Sequence, residues 1–444
     1  MMRLPEYAAR ALCRLENAGF EAWAVGGCVR DSLRGAEPHD FDLCTAARPE
    51  EMLRVFAGER LIKTGLRHGT LTVLTEGGPL EITSFRADGS YSDGRHPDGV
   101  RFVSSIRDDL ARRDFTVGAM AWHPERGLFD PFGGREDLEN RVLRAVGDPD
   151  MRFTEDALRI LRAVRFASEL GFSIEENTAA AMERQADRLA LIAPERVREE
   201  LTRLLCGRWV QRTLLGCTAV IGAALPELRP MFGCTQDNPH HCYDVWGHTV
   251  RAVGQVPPEP CLRWAMLLHD SGKPACKTVD EQGVGHFRGH PKASRALAER
   301  LLPRLRFSNE DSERILLLVE QHDRPLGDSD KLVRRRLAQI GEARFRDLLM
   351  IKKGDAVGQN TQPWDVGTLQ GTERLLNEVL RQDSCLSLRR LAVNGRDMQT
   401  LGLTDEKIGE MLRFLLDAVL DDPARNDRET LLRLARTEME EQHG

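Results

Sequence analysis

Asp40 and Asp42, at the end of the stretch Ala22–Asp42 (AWAVGGCVRDSLRGAEPHDFD), are the residues of this 444-residue chain whose spacing points most directly to chemistry. Two carboxylates two residues apart on a strand project from one face, and they repel unless a cation sits between them. Upstream, the apolar run Ala22–Val25 reads as a short buried strand, followed by Gly26-Gly27. A glycine turn at such a place brings backbone N–H groups close to an anion. Val29–Arg34 then opens a helix, with Arg30 near its positive end, and Phe41–Leu43 reads as a second strand. Hard oxygen ligands beside a phosphate-binding corner suit Mg²⁺, which takes a couple of carboxylates together with substrate phosphates. The pattern outlines a nucleotidyl-transfer site. Taken alone, Asp-x-Asp at a strand end also reads as a turn or a helix cap.

Two further constellations carry chemistry. Thr154–Ala167 (TEDALRILRAVRFA) reads as one helix with Thr154 as N-cap and with Glu155 and Asp156 in its first turn, where the dipole favours negative charge. Arg159, Arg162 and Arg165 recur every third residue on an otherwise apolar helix, so they need anionic or hydrogen-bonding partners. An ion-pair ladder with Glu155 and Asp156 is one answer, and a bound ligand is the other. Further on come His248, His269-Asp270, His290, His322 and Asp355, several of them at the ends of apolar helices. Imidazoles and carboxylates so placed can hold one or two divalent ions and direct a water at a phosphate ester.

The elements that must position these groups are mixed at first and helical afterwards. A helix over Pro5–Ala18, another over Pro49–Phe56, and strands at Thr70–Leu74 and Leu80–Phe85 around Gly77-Gly78-Pro79 make a small α/β head. Glu81 lies on the last strand, as a candidate third carboxylate or as an edge-strand residue facing water. Ala87–Pro97 reads as a mobile loop. Leu110–Met120 places Arg112, Arg113 and Asp114 before an apolar run, and Ile174–Leu225 has apolar positions at helical spacing. Pro226–Pro239, rich in Pro, Gly and Asn, marks a module boundary.

Composition limits the classes. The length suggests about three domains. A net charge of −6 gives no overall pull on nucleic acid, so RNA contact has to come from local faces such as Lys331–Lys353, with eight basic residues against two acidic. Ten cysteines without a Cys-x-x-Cys pair suit a reducing cytoplasm, and Cys234, His240, His241 and Cys242 lack zinc-finger spacing. The longest nearly apolar run, Leu214–Leu225, is too short for a bilayer, and Met1–Leu15 lacks a signal-peptide core, so no membrane role is expected.

The spacing from Gly-Gly-x-Val-Arg-Asp to Asp-x-Asp, the Arg113-Asp114-Phe115-Thr116 run, the turn Asp130–Gly134 and the Glu-Asp-x-x-Arg helix together resemble the DNA polymerase β superfamily of nucleotidyltransferases. The resemblance is to its class II group, which holds bacterial tRNA CCA-adding enzymes and bacterial poly(A) polymerases; the His/Asp series is similar to HD metal-dependent phosphohydrolases. The implied fold class is α+β. A polymerase-β-like head spans 1–140, a helical neck with the nucleotide-selecting helix 141–225, an HD domain 226–360 and a helical tRNA-binding tail 361–444.

The implied roles are Mg²⁺ on Asp40 and Asp42, triphosphate on Gly27, Arg30 and Arg113, and base selection by Asp156 and Arg159, with Arg162 and Arg165 facing the nucleotide. A divalent metal of unspecified identity is implied at His248, His269, Asp270, His290, His322 and Asp355. The implied partners are tRNA, CTP and ATP. The loop at 87–97 is associated in the family with A addition. The usual Asn is replaced by Gly118, which leaves contacts of that amide open. The implied activity is CCA addition, with an HD phosphatase or 2′,3′-cyclic phosphodiesterase. Alternatives are a poly(A) polymerase, an A-adding enzyme, or an HD phosphohydrolase with a non-catalytic RNA-binding head.

Overall fold

The computed structural model describes residues 2–88, 100–238, 242–359, 366–382, 385–404 and 406–441. The loop expected over Ala87–Pro97 therefore lies, past its first two residues, outside the described residues, as do His240 and His241. The chain divides into two compact units, Met1–Pro226 and Glu227–Gly444.

The first unit begins with α1 (Glu6–Asn17), β1 (Ala22–Val25), α2 (Gly27–Leu33), β2 (Asp42–Thr45) and α3 (Pro49–Val55). Then come β3 (Arg60–Ile62), β4 (Thr70–Thr75), β5 (Gly78–Ser84), a two-stranded ribbon β6 (Arg86–Asp88) and β7 (Val100–Phe102), and α4 (Ile106–Ala111). β8 (Ala121–His123), β9 (Gly127–Phe129) and α5 (Gly134–Asn140) complete the head. Its seven-stranded sheet has the order β3-β4-β5-β2-β1-β8-β9; β2 and β5 run parallel and the other described pairs antiparallel. β1 is buried along its whole length, which is why AWAV carries no polar residue. Trp23, Val25, Cys44, Phe85 and Leu110 join one apolar core beneath the sheet.

Two expectations are corrected here. The second strand starts at Asp42, so Asp40 lies in the exposed approach to β2 and not within it. Glu81 is not on an edge strand, because β5 is covered by β4 on one side and β2 on the other.

The rest of the first unit contains β10 (Val142–Leu143), α6 (Pro149–Glu155), α7 (Leu158–Leu170), β11 (Ser173–Ile174, parallel to β10), α8 (Glu176–Gln185), α9 (Pro194–Leu205), α10 (Val210–Gly216) and α11 (Thr218–Ala224). The single helix expected over Thr154–Ala167 is two. Asp148 caps α6, with Pro149 at the first position, and Thr154 is one residue from that helix's end. Asp156 leaves helical geometry (φ −142°, ψ 102°) and its Oδ1 accepts from the Leu158 amide at 3.0 Å, starting α7. An Asp side chain competing for backbone N–H groups is the physical reason for the break.

The second unit is helical: α12 (Val245–Gln255), α13 (Pro260–Leu268), α14 (Lys273–Cys276), α15 (His290–Arg304), α16 (Asn309–Gln321), α17 (Asp330–Ile340), α18 (Glu342–Gln359) and α19 (Val366–Arg381). α20 (Gly395–Thr400), α21 (Glu406–Asp421) and α22 (Arg428–Glu441) close a separate small core around Met398, Leu415 and Leu431. The basic run 331–353 is largely paired within the fold. Lys331 and Arg335 both meet Asp421 (2.7 and 2.8 Å), Arg334 donates to the Leu420 carbonyl, and Lys353 meets Glu373 (2.7 Å). No helix among the described residues is long and apolar enough to cross a membrane.

Candidate active site and metal cluster

In the head, strand register sets the first geometry. Val25 pairs with Asp42, and Asp42 pairs in turn with Glu81. Gly26 and Gly27 follow Val25 directly, so the glycine corner and the Asp42 carboxylate lie next to each other at one end of the sheet. Gly26 has φ +76° and ψ −130°, a conformation open essentially to glycine. A Cβ there would also come within 3.1 Å of Arg113 Nη1, which places that guanidinium against the corner. Burial, followed by the neighbouring Glu81 carboxylate, pushes the Asp42 carboxyl up to about 6, with Arg113 opposing and Asp40 adding to the rise. Three carboxylates thus crowd one strand end. The donor set is all hard oxygen, which fits a divalent cation and gives the Asp42 charge a counter-ion.

Arg113 is held from behind by Asp109 (3.4 Å) and donates to the Gly118 carbonyl (3.3 Å). Burial raises Asp109, but Arg112 and Arg113 outweigh it and hold the carboxyl below its usual range. The contact from Gly118 is made by its backbone, and a Cβ there would stand 3.7 Å from Asp114, so the missing side chain leaves Arg113's anchor intact. Arg30 differs from expectation in its partners. Its fork is bidentate to Asp31 (2.9 and 2.8 Å), and it lies over the Phe166 ring.

The three arginines of α7 each find different partners. Arg159 is buried and donates to Glu155 (2.8 Å), the Arg112 carbonyl (2.9 Å) and the Arg152 carbonyl (3.3 Å). Arg162 meets Asp114 at 2.6 Å. Burial works against the Asp114 charge, but Arg162 and Arg159 prevail and keep that carboxyl low. Arg165, 2% exposed, is enclosed by Glu200 (2.5 Å) and Glu169 (2.8 Å). The expected ladder is seen at Arg159–Glu155. Arg165 is matched to Glu200 on α9 and Glu169 on its own helix. Arg165→Met should cost about 3 kcal/mol in denaturant unfolding, because Glu200 would be left buried without its cation.

In the second unit, α12 supplies His248, the C-terminal end of α13 His269 and Asp270, the start of α15 His290, the end of α16 His322, and α18 Asp355. All six come together, as the sequence implied. His269, His290 and His322 each direct Nδ1 at a backbone carbonyl (Met266, Phe287 and Val319; 2.6, 2.9 and 2.7 Å), which makes Nδ1 the donor and leaves Nε2 pointing inward.

Asp270 stands between two groups. Its Oδ2 lies 3.2 and 3.3 Å from Nε2 of His248 and His269, and Asp355 Oδ1 lies 3.0 and 3.5 Å from the same atoms. Its Oδ1 lies 3.3 and 3.8 Å from Nε2 of His290 and His322, whose own Nε2 atoms are 3.2 Å apart. Burial opposes charge on His269, yet Asp270 and Asp355 carry it up to about 10, while burial and His269 push His322 down to about 4. Inward Nε2 atoms converging on a shared carboxylate fit divalent metal, with Asp270 as the common ligand of two groups.

Lys273 was not singled out in the sequence. It is buried, sits one turn after Asp270, and contacts Asp270 Oδ2 (2.7 Å) and Gln236 Oε1 (2.9 Å). Its place in His269-Asp270-Ser-Gly-Lys was the available signal. Asp109 and Asp114 were likewise missed as anchors of Arg113 and Arg162, although Asp109 lies four residues before Arg113.

Residues 22–144 match the family model of the poly A polymerase head domain, 171–216 that described as "Probable RNA and SrmB- binding site of polymerase A", and 240–348 that of the HD domain. Sheet, glycine corner and carboxylates on one side, and the histidine–aspartate cluster on the other, define a nucleotidyltransferase head followed by an HD domain. A CCA-adding enzyme of Limosilactobacillus fermentum is 47% identical over 434 residues, covering 97% of this chain and 96% of that one. The chain belongs to the CCA-adding enzyme family.

Another relative, the CCA-adding enzyme of Geobacillus kaustophilus, is 46% identical over 47% of this chain and 51% of its own length. Among solved structures, the Bacillus stearothermophilus CCA-adding enzyme in complex with CTP superposes over 100% of both chains with a TM-score of 0.75 at 26% identity. The Thermotoga maritima CCA-adding enzyme complexed with tRNA shares the fold, with a TM-score of 0.61 over 98% of this chain and 97% of that one at 19% identity.

Proposed function

We propose that the chain adds C, C and A to the 3′ end of tRNA from CTP and ATP without a nucleic-acid template. Within it we assign the head to 1–140, the selecting neck to 141–225, the HD domain to 226–360 and an RNA-binding tail to 361–444. The observation that carries the reading is the register that puts Asp42 beside both Glu81 and the Gly26-Gly27 corner.

Asp40 and Asp42, with Glu81 adjacent, would hold Mg²⁺. When bound, the ion supplies Lewis-acid polarisation of the attacked phosphate and lowers the pKa of the attacking hydroxyl. The Gly27 backbone and Arg113 take triphosphate charge. Arg30, fixed to Asp31, buttresses the corner. Asp156 and Arg159 offer acceptor and donors to the base edge from a frame fixed by Leu158, Glu155 and Arg112, and Arg162 stands beside them. A rigid donor–acceptor pair leaves a mismatched base with unpaired groups, which is how a protein surface selects C or A.

We also propose a metal-dependent phosphohydrolase in the second unit. His248, His269, Asp270 and Asp355 would hold one divalent ion, and Asp270, His290 and His322 a second. A cleft of about 460 Å³ opens beside Asp355, between Asp323, Lys352 and Thr372, and can seat the ester.

The deciding assay supplies labelled CTP and ATP, separately and together, to tRNA transcripts ending before CCA. Incorporation of two C residues and then one A is expected. ATP-only extension into a long tail would instead mark a poly(A) polymerase, activity only on transcripts ending in CC an A-adding enzyme, and no incorporation a non-catalytic head.

A further inference from the structure

Phe166, on α7, lies half-buried among three cations. The guanidinium carbons of Arg30, Arg162 and Arg165 stand 5.4, 5.4 and 4.0 Å from its ring centre, and Phe115 meets it edge-on at 6.0 Å. Three like charges around one ring repel. They are accommodated because the aromatic face is electronegative and each guanidinium also has a carboxylate: Asp31 for Arg30, Asp114 for Arg162, and Glu169 with Glu200 for Arg165. The ring is thereby the common neighbour of three elements. Arg30 belongs to the helix that starts at the glycine corner, and its Nη2 is 3.8 Å from where a Gly27 Cβ would lie. Phe115 follows Arg113 and Asp114. Arg162 belongs to the selecting helix.

Arg162 is the member of this set with freedom to misalign. Its side chain is 36% exposed, and both of its bonded nitrogens meet one and the same oxygen, Asp114 Oδ2. A guanidinium held at a single oxygen can pivot about it. The ring face removes that pivot.

We infer that Phe166 is a positioning residue for nucleotide selection: its ring fixes the plane of Arg162 relative to the glycine corner, so that base and triphosphate are gripped by one frame. The inference rests on the CCA-adding reading of the head. Fixed donor geometry raises discrimination against bases that cannot match it, whereas rotamer freedom lets a mismatched base find partners.

The test measures kcat and KM for CTP, ATP, UTP and GTP with full-length protein on tRNA ending before CCA. Phe166→Leu should raise KM for CTP and ATP and lower the CTP:UTP and ATP:GTP discrimination ratios about tenfold, with kcat changed less than about threefold. Phe166→Tyr, which keeps the ring, should restore the ratios; Phe166→Met, whose unbranched chain adapts to an irregular gap, takes the leucine variant's place if a thermal melt shows the latter unfolded. In a double-mutant cycle with Arg162→Lys the two losses should be strongly non-additive. Unchanged ratios in a folded ring-less variant, or additive losses in the cycle, overturn the inference. A wild-type protein that fails to incorporate CTP would overturn the underlying reading instead, so the two failures are distinguishable.

Discussion

Asp42→Asn should abolish CTP and ATP incorporation, by about 10³-fold or more, while making the metal-free head more stable. The loss follows from removing a charged ligand at the point of phosphoryl transfer, where one electrostatic contact alone is worth orders of magnitude. The gain follows from the cost of that charge. Burial and Glu81 raise the Asp42 carboxyl to about 6 in the folded protein against 3.8 ordinarily. A carboxyl raised on folding supports stability fully below its unfolded value and loses that support as pH climbs through the folded one. At pH 8 the ionised group therefore destabilises the metal-free head by about 3 kcal/mol, and asparagine removes that burden.

Thermal melts in EDTA should place the variant about 6–12 °C above wild type at pH 8 and level with it near pH 4. Adding Mg²⁺ with CTP should reverse the order at pH 8, since only the wild type gains from binding. Wild-type incorporation should also fall as pH drops through about 6, because protons then compete for the ligand. An active variant would remove Asp42 from the metal site. An equally stable variant at pH 8 would show that its carboxylates are not crowded.

Asp270→Asn should remove both ions of the second unit at once and cut phosphohydrolysis by about 10³-fold or more, with CTP incorporation unchanged within about twofold. The expectation rests on the two oxygens of Asp270 facing different groups, Oδ2 toward His248 and His269, Oδ1 toward His290 and His322. His290→Gln touches one group alone and should leave one ion. Metal content by mass spectrometry after loading with Mn²⁺, and hydrolysis of bis(p-nitrophenyl) phosphate and a 2′,3′-cyclic nucleotide, read the two effects separately. An Asp270→Asn protein that still holds an ion would rule out the shared-ligand arrangement. A fall in CTP incorporation to match the hydrolytic loss would mean that the HD domain serves the transfer reaction itself.

Much of this protein is determined locally, and so is legible in the chain alone. Ala22–Val25 is apolar throughout because the strand is buried on both faces, and Gly26 must follow it because its φ near +76° excludes a side chain. The six His and Asp residues of the second unit stand out because each closes, opens or lines a helix whose apolar spacing is itself plain, and their types suit one chemistry. Motif spacing, apolar period and residue type are sequence properties.

What only the tertiary structure decided is which partner each charged side chain found. Arg159, Arg162 and Arg165 look equivalent at a three-residue period, yet Glu155, Asp114 and Glu200 divide them among three tasks. Asp156 breaks the helix it was expected to begin, because its carboxylate finds the Leu158 amide. Glu81, though exposed, became a neighbour of Asp42 through the parallel pairing of β2 with β5, a contact across 38 intervening positions. Charge pairing and strand register depend on which distant segments pack together, and no local pattern encodes that choice.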